Sequence, residues 1–259
     1  MKEKILQKLS ETEKEKNVRI IFAAESGSRA WGFPSKESDY DVRFIFVHPV
    51  DWYLSIFEKQ DFIEPPVDGL LDISGWDIRK SLKLLRKSNS AILEWLSSPI
   101  VYRSDKNEFE LLQSLSETAF LPGSSFYHYF SLAKNSMAKS EGNDSVRIKT
   151  YLYSLRALLC CRWIISRRSQ PPVLFGDLVS EHLRSGEVRD AADRLLEKRK
   201  VSGEADTMEK SPVLEKYIIS QFEKLESKAP KNQEKSDTEL YDSVFRKIIR
   251  NEDKITTST

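Results

Sequence analysis

Asp39 and Asp41 stand one residue apart at the start of an apolar run, and the pair Gly27-Ser28 closes the apolar run before it. On a β-strand, side chains two residues apart share a face, with Cα atoms about 6.5 Å from each other, so these two carboxylates would converge. Converging carboxylates repel unless a cation sits between them. A hard ion such as Mg2+ takes oxygen ligands and is held by one or two carboxylates together with substrate phosphates. The Gly27-Ser28 turn supplies the complementary half, because backbone N–H groups at a turn that enters a helix can hold a phosphate. Either feature alone is also what a solvated strand edge or a plain turn looks like. Their pairing points to metal-assisted chemistry on a phosphate.

Other residues invite chemistry more weakly. His48, His128 and His182 are scattered without metal-ligand spacing and read as structural or surface residues. Cys160 and Cys161 are neighbours in an apolar stretch, which suits neither a mutual disulfide nor a metal site, and they read as small buried residues. Trp31, Trp76 and Trp95 read as core, with base stacking by Trp31 or Trp76 as the alternative. The net charge is +1, yet residues 145–176 hold Arg147, Lys149, Arg156, Arg162, Arg167 and Arg168 without one acid. Lys149 and Arg156 are seven apart and so lie on nearly the same helix face, turned either to an anion or to solvent.

These side chains need a scaffold. With 259 residues, 39% apolar and 10% aromatic, the chain can bury the core of one large domain or two modest ones. Residues 1–15 read as a polar helix, 18–24 as a buried strand leading to Gly27, 41–47 as a strand carrying Asp41, and 70–74 as a short strand carrying Asp72. Helical spacing follows over 78–87 and 90–96. Beyond Pro122-Gly123 the pattern is helical, with long segments over 126–138, 146–166, 179–200 and 213–227. The first part is therefore α/β and the second α. A polar stretch with Pro230 at 228–235 reads as a linker and 251–259 as a frayed tail. The charged N-terminus lacks an apolar signal region and no run reaches the ~18 apolar residues of a membrane span, so the expected location is cytoplasmic, with no membrane partner.

Gly27-Ser28, ten intervening residues, then Asp39-Tyr40-Asp41-Val42 between apolar runs resembles the signature of the DNA polymerase beta-like nucleotidyltransferase superfamily. Residues 25–32, 38–43, 75–80 and 88–96 are similar to one branch of it, the YcgL-type nucleotidyltransferases, also described as the RNA repair pathway polymerase beta family. The likeness spans roughly residues 18–180. It departs at Ser90, where many relatives carry proline after the asparagine, a difference that bears on the turn and not on the chemistry.

The resemblance implies an α/β (α+β) chain with the minimal nucleotidyltransferase fold. A catalytic domain over 1–120, with a short mixed sheet flanked by helices, would precede a helical domain over 121–259. It implies Mg2+-dependent (or Mn2+-dependent) transfer of a nucleoside monophosphate from an NTP such as ATP to a hydroxyl. The acceptor would be an RNA end, a protein or a small molecule. The alternative is a nucleotide-sensing or interaction module that keeps the fold without catalysis. Members use a third carboxylate on a later strand. Asp72 fits that place better than Asp77, which stands at a helix start and serves equally as an N-cap. Asp39, Asp41 and Asp72 would be the metal ligands and catalytic residues, Asp72 also a candidate general base. Gly27 and Ser28 would bind terminal phosphates. Arg29, Arg43, Lys149 and Arg156 would be phosphate contacts or, alternatively, ordinary ion-pair partners. If RNA is the acceptor, its backbone would meet the acid-free segment through residues such as Arg162, Arg167 and Arg168.

Overall fold

A computed structural model describes residues 1–138, 144–231 and 237–250. In chain order the elements begin with α1 (Lys2–Lys16), β1 (Arg19–Glu25), α2 (Gly27–Ala30), β2 (Tyr40–Val47), α3 (Val50–Tyr53), β3 (Phe62–Ile63) and β4 (Leu71–Asp77). Next are α4 (Ile78–Arg86), α5 (Ser90–Leu96), β5 (Val101–Ser104), α6 (Lys106–Ala119), α7 (Pro122–Ala138), β6 (Ser145–Arg147) and α8 (Ile148–Arg167). The remainder are α9 (Phe175–His182), α10 (Glu187–Val201), β7 (Thr207–Glu209), α11 (Pro212–Glu226) and α12 (Thr238–Arg250). Two compact units form, and neither is a single stretch of chain. One comprises Met1–Gly27, Asp39–Ala119 and Glu234–Thr259; the other comprises Ser28–Ser38 and Phe120–Gln233. The tail expected at 251–259, and the linker expected at 228–235 beyond residue 231, lie outside the described residues.

In the first unit a five-stranded mixed sheet runs β3-β4-β2-β1-β5. β2 and β4 are parallel, and the other neighbours are antiparallel. The central strands are the most apolar, with every residue of β1 after Arg19 buried. The edge strands are short, which limits the unpaired backbone they expose. Alternation along the strands splits the sheet into two faces. Val42, Phe44, Phe46, Leu71 and Ile73 form one core with Ile5 and Leu9 of α1. The opposite face changes character along its length. Asp41 and Asp72 occupy the strand starts, whereas Ile45 and Trp76 are register neighbours further on. There Trp76 meets Trp95 of α5 with ring centroids 4.0 Å apart, and Phe22 stacks on Phe109 of α6 at 5.0 Å. Gly75 lies in register with Phe44, whose ring fills the space a Cβ would need.

The second unit is built around α8, whose buried residues occur on all sides of the helix, as expected of a helix enclosed by others. α7, α9, α10 and α11 pack on it. Cys160 and Cys161 are thiols, fully buried, and the Cys161 thiol donates to the Phe126 carbonyl at 3.6 Å. Burial pushes that thiol well above its usual pKa. The single helix expected over 179–200 is instead two, α9 and α10. Gly186, at φ +101°, precedes the second, a backbone conformation that a continuous helix excludes. Among the described residues, no helix is long and apolar enough to cross a membrane.

Gly75→Ala should therefore lower the stability of the sheet unit by about 1–3 kcal/mol, the usual cost of overpacking. Gly176→Ala in α9, where an added Cβ meets nothing within 4 Å, serves as the control and should be neutral or slightly stabilising. Urea denaturation of both variants checks the contrast.

Candidate active site

The parallel register puts Asp41 of β2 directly beside Asp72 of β4. Neighbouring strands are about 4.8 Å apart and paired residues share a face, so the two carboxylates are held together by backbone geometry alone. Like charges placed so are destabilising unless neutralised. Arg43, two residues after Asp41 on the same face, supplies the cation. Its Nη2 donates to Asp41 Oδ1 at 2.9 Å and to Asp72 Oδ2 at 2.7 Å, and its Nη1 donates to the carbonyls of Val42 and Asp72 at 3.3 Å. The group is half-buried, with side-chain exposures of 18% for Arg43, 30% for Asp41 and 28% for Asp72. Asp39 is exposed immediately before β2 begins.

Two further residues fix Asp41. Gly27 has φ +61°, and a Cβ there would collide with the Asp41 carboxylate. Glycine is thus required at position 27 both by conformation and by close approach. On the other side Glu25, only 1% exposed, accepts from the Asp41 backbone N–H at 2.8 Å and from the Tyr102 hydroxyl. The Ser26 N–H in turn donates to the Asp41 carbonyl at 2.8 Å. A carboxylate at the end of a fully buried strand is costly without donors, and that cost is the signal that marks Glu25 as a positioning residue.

The oxygen donors of Asp41 and Asp72, with Asp39 adjacent in the chain, are the set a hard divalent ion takes when water and phosphate complete its shell. Arg43 stands where such an ion's charge is needed. Among the described residues no three His, Cys, Asp or Glu side chains gather closely enough to hold a metal ion by themselves. Asp77 has a different task. It is fully buried, its Oδ1 accepts from the Arg79 N–H at 2.8 Å as the N-cap of α4, and its Oδ2 accepts from the Tyr53 hydroxyl at 2.6 Å. Five residues from Asp72 along β4, it faces the other side of the sheet.

The remaining phosphate-contact candidates belong to the helical unit. Ser28 Oγ donates to Ser38 Oγ at 3.2 Å, and Arg29 donates to the Ser38 carbonyl at 2.8 Å. Lys149 donates to Glu204 at 3.1 Å and lies over the Tyr153 ring. Burial opposes its charge, but Tyr153 and Glu204 outweigh that and raise its pKa. Arg156 is separated from Lys149 in environment: it is 2% exposed, lies over Trp31 at 4.2 Å and donates to the Val173 carbonyl at 3.2–3.3 Å. Trp31 also packs against Phe33 and Tyr153. Within the acid-free segment, Arg162 donates to the Tyr217 hydroxyl at 2.8 Å and Arg167 pairs with Glu181 at 2.7 Å, so these two side chains are engaged by other helices. His48 stacks on Trp52, and burial together with Lys59 lowers its pKa to about 4.

The family model described as "RlaP: RNA repair pathway DNA polymerase beta family" matches residues 1–247. A Bacillus subtilis (strain 168) relative, "Uncharacterized protein YcgL", is 42% identical over 225 residues, covering 87% of this chain and 86% of its own.

The cap at Asp77 makes a pH-dependent prediction. Burial raises its carboxyl above the ordinary 3.8, with the Tyr53 and Arg79 donors pulling the other way. The folded protein then keeps this proton to a higher pH than the unfolded chain does. The resulting stabilisation is complete below about 3.8 and is lost as pH rises through the raised value. Asp77→Asn keeps the cap and removes that loss. Its stability relative to the wild type should rise between pH 4 and pH 7 in urea denaturation; a flat difference would refute the assignment.

Proposed function

The chain belongs to the RNA repair pathway DNA polymerase beta family, and from that premise we propose that it is a metal-dependent nucleotidyltransferase. It moves a nucleoside monophosphate from an NTP to a hydroxyl on an RNA end, a protein or a small molecule. The observation that carries the reading is the in-register pair Asp41 and Asp72, with Asp39 immediately before β2. Phosphoryl transfer asks little covalent work of a protein, so catalysis rests on placement and charge.

Asp39, Asp41 and Asp72 would hold Mg2+ or Mn2+, which when bound neutralises phosphate charge and lowers the pKa of the attacking hydroxyl. Asp72 accepts the proton of that hydroxyl as general base. Gly27 and Ser28 bind the terminal phosphates. Arg43, once released from the carboxylates, is a donor for phosphate oxygens. Glu25 keeps Asp41 in place through its backbone N–H and touches no substrate.

One observation favours a second reading. Arg43 bridges both carboxylates and offsets one of their two negative charges, as suits a module that senses nucleotide and does not turn it over. The discriminating experiment incubates the protein with each of four labelled NTPs and Mg2+ or Mn2+ against total RNA and lysate. Label on an acceptor supports the enzyme; NTP binding with no label supports the sensor.

Asp39→Ala and Asp41→Ala should each reduce transfer roughly 100-fold or more. Stability should stay within about 1 kcal/mol, since Asp39 is exposed and the Arg43–Asp41 pair is partly solvated. Asp72→Asn should cost far more in turnover than in NTP binding, whereas Asp77→Asn should be mild in both. Steady-state kinetics beside NTP titrations read the split, and the reverse ranking would move the third carboxylate to Asp77.

A further inference from the structure

Glu204, in the loop between α10 and β7, collects more donors than any stabilising surface carboxylate needs. Its Oε1 accepts from Ser38 Oγ at 2.6 Å, from Ser35 Oγ at 2.9 Å and from Arg199 Nη2, and its Oε2 accepts from Lys149 Nζ at 3.1 Å. Two hydroxyls, an ammonium and a guanidinium thus converge on one side chain. That donor set is the one phosphate oxygens take. Arg199 is 1% exposed, and its Nε has no hydrogen-bond partner. Beside Glu204 the guanidinium donates to the Ser38 hydroxyl and the Gly203 carbonyl at 3.3 Å, and burying it with its Nε–H still unmet is expensive.

The surroundings are otherwise acidic only at the rim. Glu37 accepts from the Glu204 backbone N–H at 3.2 Å, and Asp206 accepts from the Gly203 N–H at 3.0 Å. Among the described residues, neither carboxylate hydrogen-bonds to Lys149 or Arg199. Burial works to raise the Glu204 pKa, but Ser38, Lys149 and Ser35 hold it at about 2, so it is an anion at physiological pH. Its side chain is 29% exposed, so solvent reaches it. Ser28, the expected phosphate ligand, donates to Ser38 in the same network.

We propose that Ser35, Ser38, Lys149 and Arg199 form a subsite for the terminal phosphates of a nucleoside triphosphate, and that Glu204 occupies it as a built-in competitor until a polyphosphate displaces it. The inference rests on the nucleotide-binding part of the function proposed above. It adds a regulatory element, since the resting protein carries its own phosphate substitute.

The test is calorimetric titration of the full-length protein with inorganic tripolyphosphate, ATP and AMP at fixed salt. If Glu204 holds the subsite at least nine-tenths closed, Glu204→Gln should tighten tripolyphosphate and ATP about tenfold or more, because the apparent affinity is scaled by the open fraction. AMP, which lacks the terminal phosphates, should be unmoved. Glu37→Gln removes a neighbouring charge but no occupant and should change affinity less than about twofold, as a screened surface charge does. Lys149→Gln, at a half-exposed lysine, should weaken tripolyphosphate about tenfold in a variant with wild-type melting, the worth of one charge-assisted hydrogen bond. Equal tightening by Glu204→Gln and Glu37→Gln, no tightening by Glu204→Gln in a variant with wild-type melting, or no weakening by Lys149→Gln would each overturn the competitor. If those outcomes occur while nucleotidyl transfer persists, only the competitor fails. If no variant binds ATP, the nucleotide reading fails with it.

Discussion

Two carboxylates locked side by side by parallel strand pairing are the constraint around which the sheet unit is arranged. The β2–β4 register fixes their spacing through the backbone, so side-chain motion relieves little of the repulsion. A cation is the remaining remedy, and Arg43 provides it from the same face. The neighbours of the pair follow from the same demand. Gly27 leaves room for the Asp41 carboxylate, and Glu25 holds the backbone that presents it. Farther along the same face, Ile45 and Trp76 return the sheet to ordinary apolar packing under α5 and α6.

The helical unit solves a parallel problem with the signs reversed. Arg156 and Arg199 are both nearly inaccessible, yet they are accommodated differently. Arg156 spends its charge on the face of Trp31 and on a carbonyl, which makes it part of the core. Arg199 meets one hydroxyl, the Gly203 carbonyl and a carboxylate, and the carboxylate is a partner that an incoming anion can replace. The chemistry of its partners, more than its burial, sets each arginine's role.

Much of this was legible in the sequence where the signal is local. Short apolar runs located β1 and β2, and the Gly27-Ser28 and Asp39-Tyr40-Asp41-Val42 spacing located the strand ends that carry the carboxylates. Asp72 was preferred to Asp77 for lying inside an apolar strand, and strand alternation shows why the two differ. Short edge strands left no trace, since β3 has two residues and β5 four, too few for periodicity. α12 is amphipathic but polar on average, and its packing on α4 and α6 joins residues over 100 positions apart. Glu204 and Arg199 were invisible for the same reason: Ser38 and Glu204 are separated by 166 residues, and no local pattern announces such a meeting. The break at Gly186 was masked because apolar residues recur on both sides of it.

The segment Ser28–Ser38 is grouped with helices that begin at Phe120, while α12 is grouped with a sheet that is otherwise finished by Ala119. On a ribosome, therefore, neither unit is complete in the order it is made. Phe33 waits for Phe175 and Trp31 for Arg156, more than a hundred residues of synthesis later. The sheet unit in turn waits for Phe245 to close on Tyr53. Domains that occupy unbroken stretches can fold as they emerge. Here the helical unit waits for α11 and the sheet unit for α12, and a cut at residue 120 yields two fragments that each lack part of their own interior.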